Sequence, residues 1–134
     1  MSFAVWHHLD NNPFHYIVAR IANRFTPEPK LPPDAPGPFR HATPGKLRSI
    51  MEEAGAKNVS ERLLHFPINA SLSVEDFWSF RLDWAEKLQQ RIAALPREAQ
   101  VALKKQVLDE FRSYEREPGV SFPGEALIVS GKKE

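Results

Sequence analysis

Four side chains able to hold a metal or move a proton, His7, His8, Asp10 and His15, fall within nine residues near the start of the chain. A cluster of imidazoles and a carboxylate suits a divalent transition metal or general acid–base work. The spacing is not that of a known metal motif. There is no His-Glu-x-x-His and no repeated His-x-His on a strand. His7 and His8 would point to opposite faces if a strand ran through them. The four residues are therefore expected to be polar turn residues beside a pocket, with no metal site. His41 and His65 stand alone in the sequence.

Other chemistries are excluded more firmly. The chain has no cysteine, which removes disulfides, thiolate nucleophiles and zinc–cysteine sites. No serine sits in a Gly-x-Ser-x-Gly elbow. No Gly-x-Gly-x-x-Gly or Gly-Lys-Ser/Thr loop is present to cradle a phosphate. The acidic pairs Glu52-Glu53 and Glu75-Asp76 lie where helix positions explain them. Among 134 residues the net charge is +1, with acids and bases interspersed, so no basic face for nucleic acid or membrane is expected. No apolar run approaches the roughly 20 residues of a membrane span. No signal peptide is evident, and a cytoplasmic location is expected.

These residues must be positioned by the elements around them. Phe3-Ala4-Val5-Trp6 reads as a buried strand emptying into the turn His7–Asn12. Only Met1 and Ser2 precede it. Asn12 and Pro13 suit a helix N-cap and first position, and Phe14, Ile17, Val18, Ile21 and Phe25 give one apolar face over 13–25. Residues 26–38 hold six prolines in thirteen positions and predict an extended connector. Thr43-Pro44 is expected to cap a helix with the stripe Leu47, Ile50, Met51 and Ala54, stopped by Gly55. Val59–Phe66 predicts a strand that Pro67 ends or makes an edge. A long helix is expected from Ser73, its face formed by Phe77, Phe80, Trp84, Leu88, Ile92 and Leu95, with Ser73 and Asp76 as a capping box. Pro96 opens the next helix, with Val101, Leu103, Val107, Leu108, Phe111 and Tyr114 inward. Glu117-Pro118-Gly119 predicts a turn, Val120–Gly124 a short extended piece, and Ala126–Ser130 a central strand apolar on both faces.

In this order the elements resemble the C-terminal half of a class I S-adenosylmethionine-dependent methyltransferase of the small-molecule group. The matching features are Phe3–Trp6 with Asn12-Pro13-Phe14, Pro44–Gly55 with Val59, Asp76-Phe77-Trp78, and Pro123–Ser130. They span nearly the whole chain. The resemblance implies an incomplete α/β fold. Its small mixed sheet would have three strands in the order first, last, middle, with the last antiparallel. About four helices would accompany it, two of them a substrate cap inserted between the last two strands. Residues 1–134 would be a single domain, with 26–38 a connector inside it. The resemblance further implies that Phe3–Trp6 marks a cut through a larger fold. The four earlier strands, which carry the glycine-rich cofactor loop in intact relatives, have no counterpart in this sequence. S-adenosylmethionine is thus the cofactor of intact relatives, and this chain has no cofactor-binding, catalytic or metal residues of its own.

The function expected is the substrate-binding cap of a transferase that does not move methyl groups alone. Trp6, His7, Asp10, Phe14, Phe77, Trp78 and Phe80 are the expected substrate contacts, the aromatics giving shape and His7 or Asp10 a polar anchor. The alternative for Phe77, Trp78 and Phe80 is an aromatic core with no ligand. The other functions open to the chain are a non-catalytic small-ligand module or a protein-interaction module. An apolar strand with an open edge is a pairing site, so a homodimer through Phe3–Trp6 or by segment exchange is also expected.

Overall fold

The computed structural model describes residues 1–134. The chain is mixed α/β: five helices and four strands of an open antiparallel sheet. It divides into two compact units. One comprises residues 1–13, 31–66 and 123–134; the other comprises 14–30 and 67–122.

In the first unit, β1 (Ser2–Trp6) pairs antiparallel with the C-terminal part of β4 (Gly119–Lys132), Phe3 opposite Val129 and Trp6 opposite Ala126. The backbone bonds at Met1–Gly131 and His7–Glu125 fix the phase of this ladder. Residues 1, 3, 5 and 7 bond to β4, so Ser2 and Ala4 turn their backbone groups to the outer edge. The close side-chain approach expected at such a non-bonded pair is met by the Ser2 and Ser130 hydroxyls, 2.7 Å apart.

The strand order is β1-β4-β2, with β2 running from Lys57 to Ala70. First, last, middle is the expected order. Two details differ. A fourth strand, β3 (Glu115–Arg116), forms a hairpin with the start of β4 through the expected turn at 117–118. The last strand also runs unbroken through Pro123. Pro123 has the ladder phase of Glu125 and lies between the stretches of β4 that pair with β1 and with β3, so its missing N–H forfeits no strand bond on that side. Pro67 is likewise harmless inside β2, which is an edge strand.

Helix α1 (Pro13–Phe25) is as expected, and residues 26–45 contain neither α-helix nor strand. Helix α2 (Lys46–Glu53) begins later than Thr43. Thr43 to Lys46 forms a β-turn closed by a 3.2 Å bond from Lys46 N–H to the Thr43 carbonyl, with Gly45 at φ +84°. Proline then glycine at the centre is the type II turn pair, and it displaces the cap. At the other end, Gly55 at φ +89° gives the left-handed stop. Ala56 bonds back to Met51 and Gly55 to Glu52, a Schellman pattern.

The second unit holds α1, α3 (Val74–Asp83), α4 (Glu86–Ala93) and α5 (Arg97–Phe111). Ser73 caps α3 by accepting from Asp76 N–H at 3.1 Å, as expected. The single long helix is corrected to two, broken at Trp84-Ala85. No proline or glycine marks the break. Gln89 of α4 donates to the Leu82 carbonyl at 2.6 Å, which also accepts from Ala85 N–H at 2.9 Å, so the side chain ties α4 back to the end of α3. Trp84, expected inward, is 78% exposed, and Val101 is also exposed. The core is instead Ile17, Ile21, Phe77, Val107, Phe111 and Phe122 with their neighbours. Phe122 sits at its centre, stacked on Phe77 (5.1 Å between centroids) and on Tyr114 (4.7 Å), with Phe111 edge-on at 5.3 Å.

Candidate functional site

In the first unit the polar groups gather where β1 ends. The Asn12 side chain is fully buried. Its amide N–H groups donate to the carbonyls of His7, His8 and Glu125, and its oxygen accepts from Glu125 N–H at 2.9 Å. The side chain was expected to cap α1. It instead ties the turn after β1 to β4. His7 is thereby held at the end of the ladder, its Nδ1 3.1 Å from the Ala42 carbonyl. A carbonyl only accepts, so Nδ1 carries a proton, and Nε2 is the ring nitrogen left to other partners. Nε2 faces Glu125 Oε2 at 3.9 Å, and the other Glu125 oxygen lies 3.2 Å from His65 Nδ1. His8 packs its ring on His7 at 4.6 Å.

This arrangement can move a proton. A histidine fixed through Nδ1 offers Nε2 as a base, and the carboxylate beside it stabilises the imidazolium that results. No group of three or more His, Cys, Asp or Glu side chains that could hold a metal ion is found. Trp6 adds an apolar wall, its ring 6.0 Å from Phe66. Asp10 lies exposed in a 3-10 turn over Leu9–Asn11, with no side-chain bond to the His7 group. Near β1 there is also an apolar depression of about 330 Å³, lined by Met1, Phe3, Leu47, Ile50, Met51 and Ala54 among others.

In the second unit the expected contacts separate by burial. Phe77 and Trp78 are each 3% exposed and belong to the core, whereas Phe80 is 50% exposed and 6.4 Å from Phe77. Trp78 also borders a shallow cavity of about 290 Å³ with Leu82, Ile92 and Val101. Phe14 lies at the edge of the core, 6.4 Å from Phe122, and its ring packs on His15 at 3.9 Å. Arg81 Nη2 lies 3.3 Å from His15 Nδ1. Burial pushes the His15 imidazole down to about 4, and the Arg81 charge pushes the same way. Burial also lowers Arg81, yet a guanidinium stays charged at any ordinary pH. His15 is therefore neutral at pH 7 and accepts from Arg81.

The sequence points to Trp6, His7 and Phe14 as substrate contacts but not to Glu125, His65, Asn12 as a linker, or Arg81. Glu125 had a signal: a carboxylate opening an otherwise apolar central strand. His65 and Arg81 had none, since each meets its partner only through tertiary packing. No protein-family model matches the chain, and no curated protein matches it.

Proposed function

We propose that the chain is the substrate-binding cap portion of a class I S-adenosylmethionine-dependent methyltransferase acting on small molecules, and that it does not transfer methyl groups alone. The observation that supports this most is the strand order β1-β4-β2, with β4 antiparallel to β1. The resemblance assigns these strands as fifth, seventh and sixth, and that family interposes an antiparallel last strand in this way. In doubly wound sheets the ligand lies beyond the carboxyl ends of the parallel strands. His7, Glu125 and His65 stand beyond the carboxyl end of β1. In this proposal His7 takes the proton from the acceptor hydroxyl or amine, the Glu125 carboxylate offsets the positive charge that results on the imidazole, and Trp6 gives apolar contact. Phe77 and Trp78 support the cap from its core, and Phe80 offers an exposed aromatic face.

The cofactor half would join along the outer edge of β1, where Ala4 presents its backbone groups. Mixing the chain with a separately produced four-stranded cofactor half of an intact methyltransferase tests this. The expected result is a one-to-one complex in which the Ala4 amide becomes protected from hydrogen exchange. No complex, or a complex that leaves Ala4 unprotected, contradicts it.

A second reading, a dimerising small-ligand module, is favoured by the same open edge together with the apolar depression beside Phe3. It expects β1 to pair with β1 of a second copy. Light scattering at micromolar concentration would then give twice the 15.3 kDa mass of one chain, and a monomer would exclude it.

A further inference from the structure

Arg81 lies near the C-terminal end of α3 with its guanidinium largely buried. The other partly buried arginine of its unit, Arg91, has a carboxylate partner, meeting Glu28 at 3.0 Å as well as the Thr26 carbonyl. Arg81 has none. Not one of the 17 Asp and Glu residues forms an ion pair with it. Its Nε is enclosed without a hydrogen-bond partner. Its one side-chain hydrogen bond is to the neutral ring of His15. The carbonyl end of α3 offers a fraction of a negative charge at most. A buried charge with no counter-charge is among the costliest features a fold can hold. The paired Nη groups of a guanidinium are also a fork shaped to take two oxygens side by side.

We propose that Arg81 and His15 form a binding site for the carboxylate or phosphate group of a small molecule with an aromatic or apolar body. The anion supplies the charge the chain withholds, and its two oxygens accept from the Arg81 Nη1 group and from the Nη2 group already oriented by His15. Phe77 and Trp78, four and three positions before Arg81 on α3, share its helix face. With those two rings sealed in the core, the partly exposed Phe14 ring beside His15 is the apolar contact for the ligand body. This site does not depend on methyl transfer and goes beyond the cap proposal.

The test titrates the chain at pH 7.5 with benzoate, phenyl phosphate, inorganic phosphate and neutral benzamide. The readouts are the His15 ring proton resonances and the thermal midpoint. Benzoate or phenyl phosphate is expected to shift the His15 signals saturably and raise the midpoint, and the tighter of the two identifies the anion. Inorganic phosphate should bind at least tenfold more weakly, and benzamide should do neither. Arg81→Lys keeps the charge but loses the fork, and should weaken binding at least tenfold. Arg81→Gln should abolish binding while raising the midpoint of the ligand-free chain, because it removes an uncompensated charge. Silence from all three anions overturns the site. So does benzamide binding as well as benzoate, undiminished binding by Arg81→Lys or Arg81→Gln, or a lower ligand-free midpoint for Arg81→Gln.

Discussion

The Asn12 amide closes on the Glu125 peptide from both sides: its oxygen accepts from Glu125 N–H at 2.9 Å, and its nitrogen donates to the Glu125 carbonyl at 3.3 Å. One side chain thus prolongs the β1–β4 ladder past the end of β1 and sets the distance between His7 and Glu125. Asn12→Ala leaves a buried N–H and three carbonyls without this partner. A stability loss of about 2–3 kcal/mol is expected, from the cost of orphaned buried groups. Asn12→Asp should be as damaging, because it keeps the acceptor but turns a donor into an anion facing carbonyls. Urea unfolding of both variants checks this; a loss below about 0.5 kcal/mol would contradict it.

Gly119 is required by space. A Cβ there would meet the Ala70 carbonyl oxygen at 2.0 Å and Leu72 N at 2.7 Å. Both are backbone atoms, so neither can swing aside. Gly119→Ala should cost about 1–3 kcal/mol by forcing the backbone apart. By contrast Gly131 faces the flexible Met51 side chain at 3.1 Å, and Gly131→Ala should cost less. Denaturant midpoints of the two variants give the comparison.

On α3, burial ranks the aromatic residues. Phe77→Ala removes a ring stacked on Phe122 and should cost about 3–5 kcal/mol. Phe80→Ser and Trp84→Ser remove exposed rings and should each change stability by less than about 0.5 kcal/mol. A large loss from Trp84→Ser would show that the break at Trp84-Ala85 is wrong.

His15 makes stability depend on pH. Its folded-state value is about 4, below the ordinary 6.5, so the unfolded chain binds the extra proton first. Stability is therefore highest above pH 6.5 and falls as the pH drops toward 4, by roughly 2–3 kcal/mol at most. His15→Gln should flatten this part of the profile. Asp34 and Asp109 are held below the ordinary 3.8 by hydrogen bonds from Lys46 and Lys105, so their contributions are lost only at lower pH. Urea midpoints from pH 4 to 7.5 for the wild type and His15→Gln isolate the His15 window, since the two aspartates stay ionised throughout it.

The legible parts of the fold were those that local chemistry dictates. The Ser73 cap, the Gly55 stop and the apolar period of α1 each need only residues a few places apart. The misread parts depend on distant partners. Thr43 looked like a cap until the Pro44-Gly45 turn pair is weighed. Pro123 looked like a strand end because no periodicity reveals that β1 and β3 leave a gap beside it. Trp84 fitted an inward stripe, but the chain breaks there with no breaker residue. In the site, His7 was legible as a polar group after a strand. Glu125 and His65 become its neighbours only through the β1–β4 register and the return of β2.

The central claim is that these strands form the cap side of a methyltransferase and hold no cofactor by themselves. Calorimetric titration with S-adenosylmethionine tests it most directly, on the chain alone and on a fusion that joins a glycine-rich, four-stranded cofactor half ahead of Met1. The account predicts no heat of binding from the chain alone and saturable binding by the fusion. Tight binding of S-adenosylmethionine by the chain alone would contradict it.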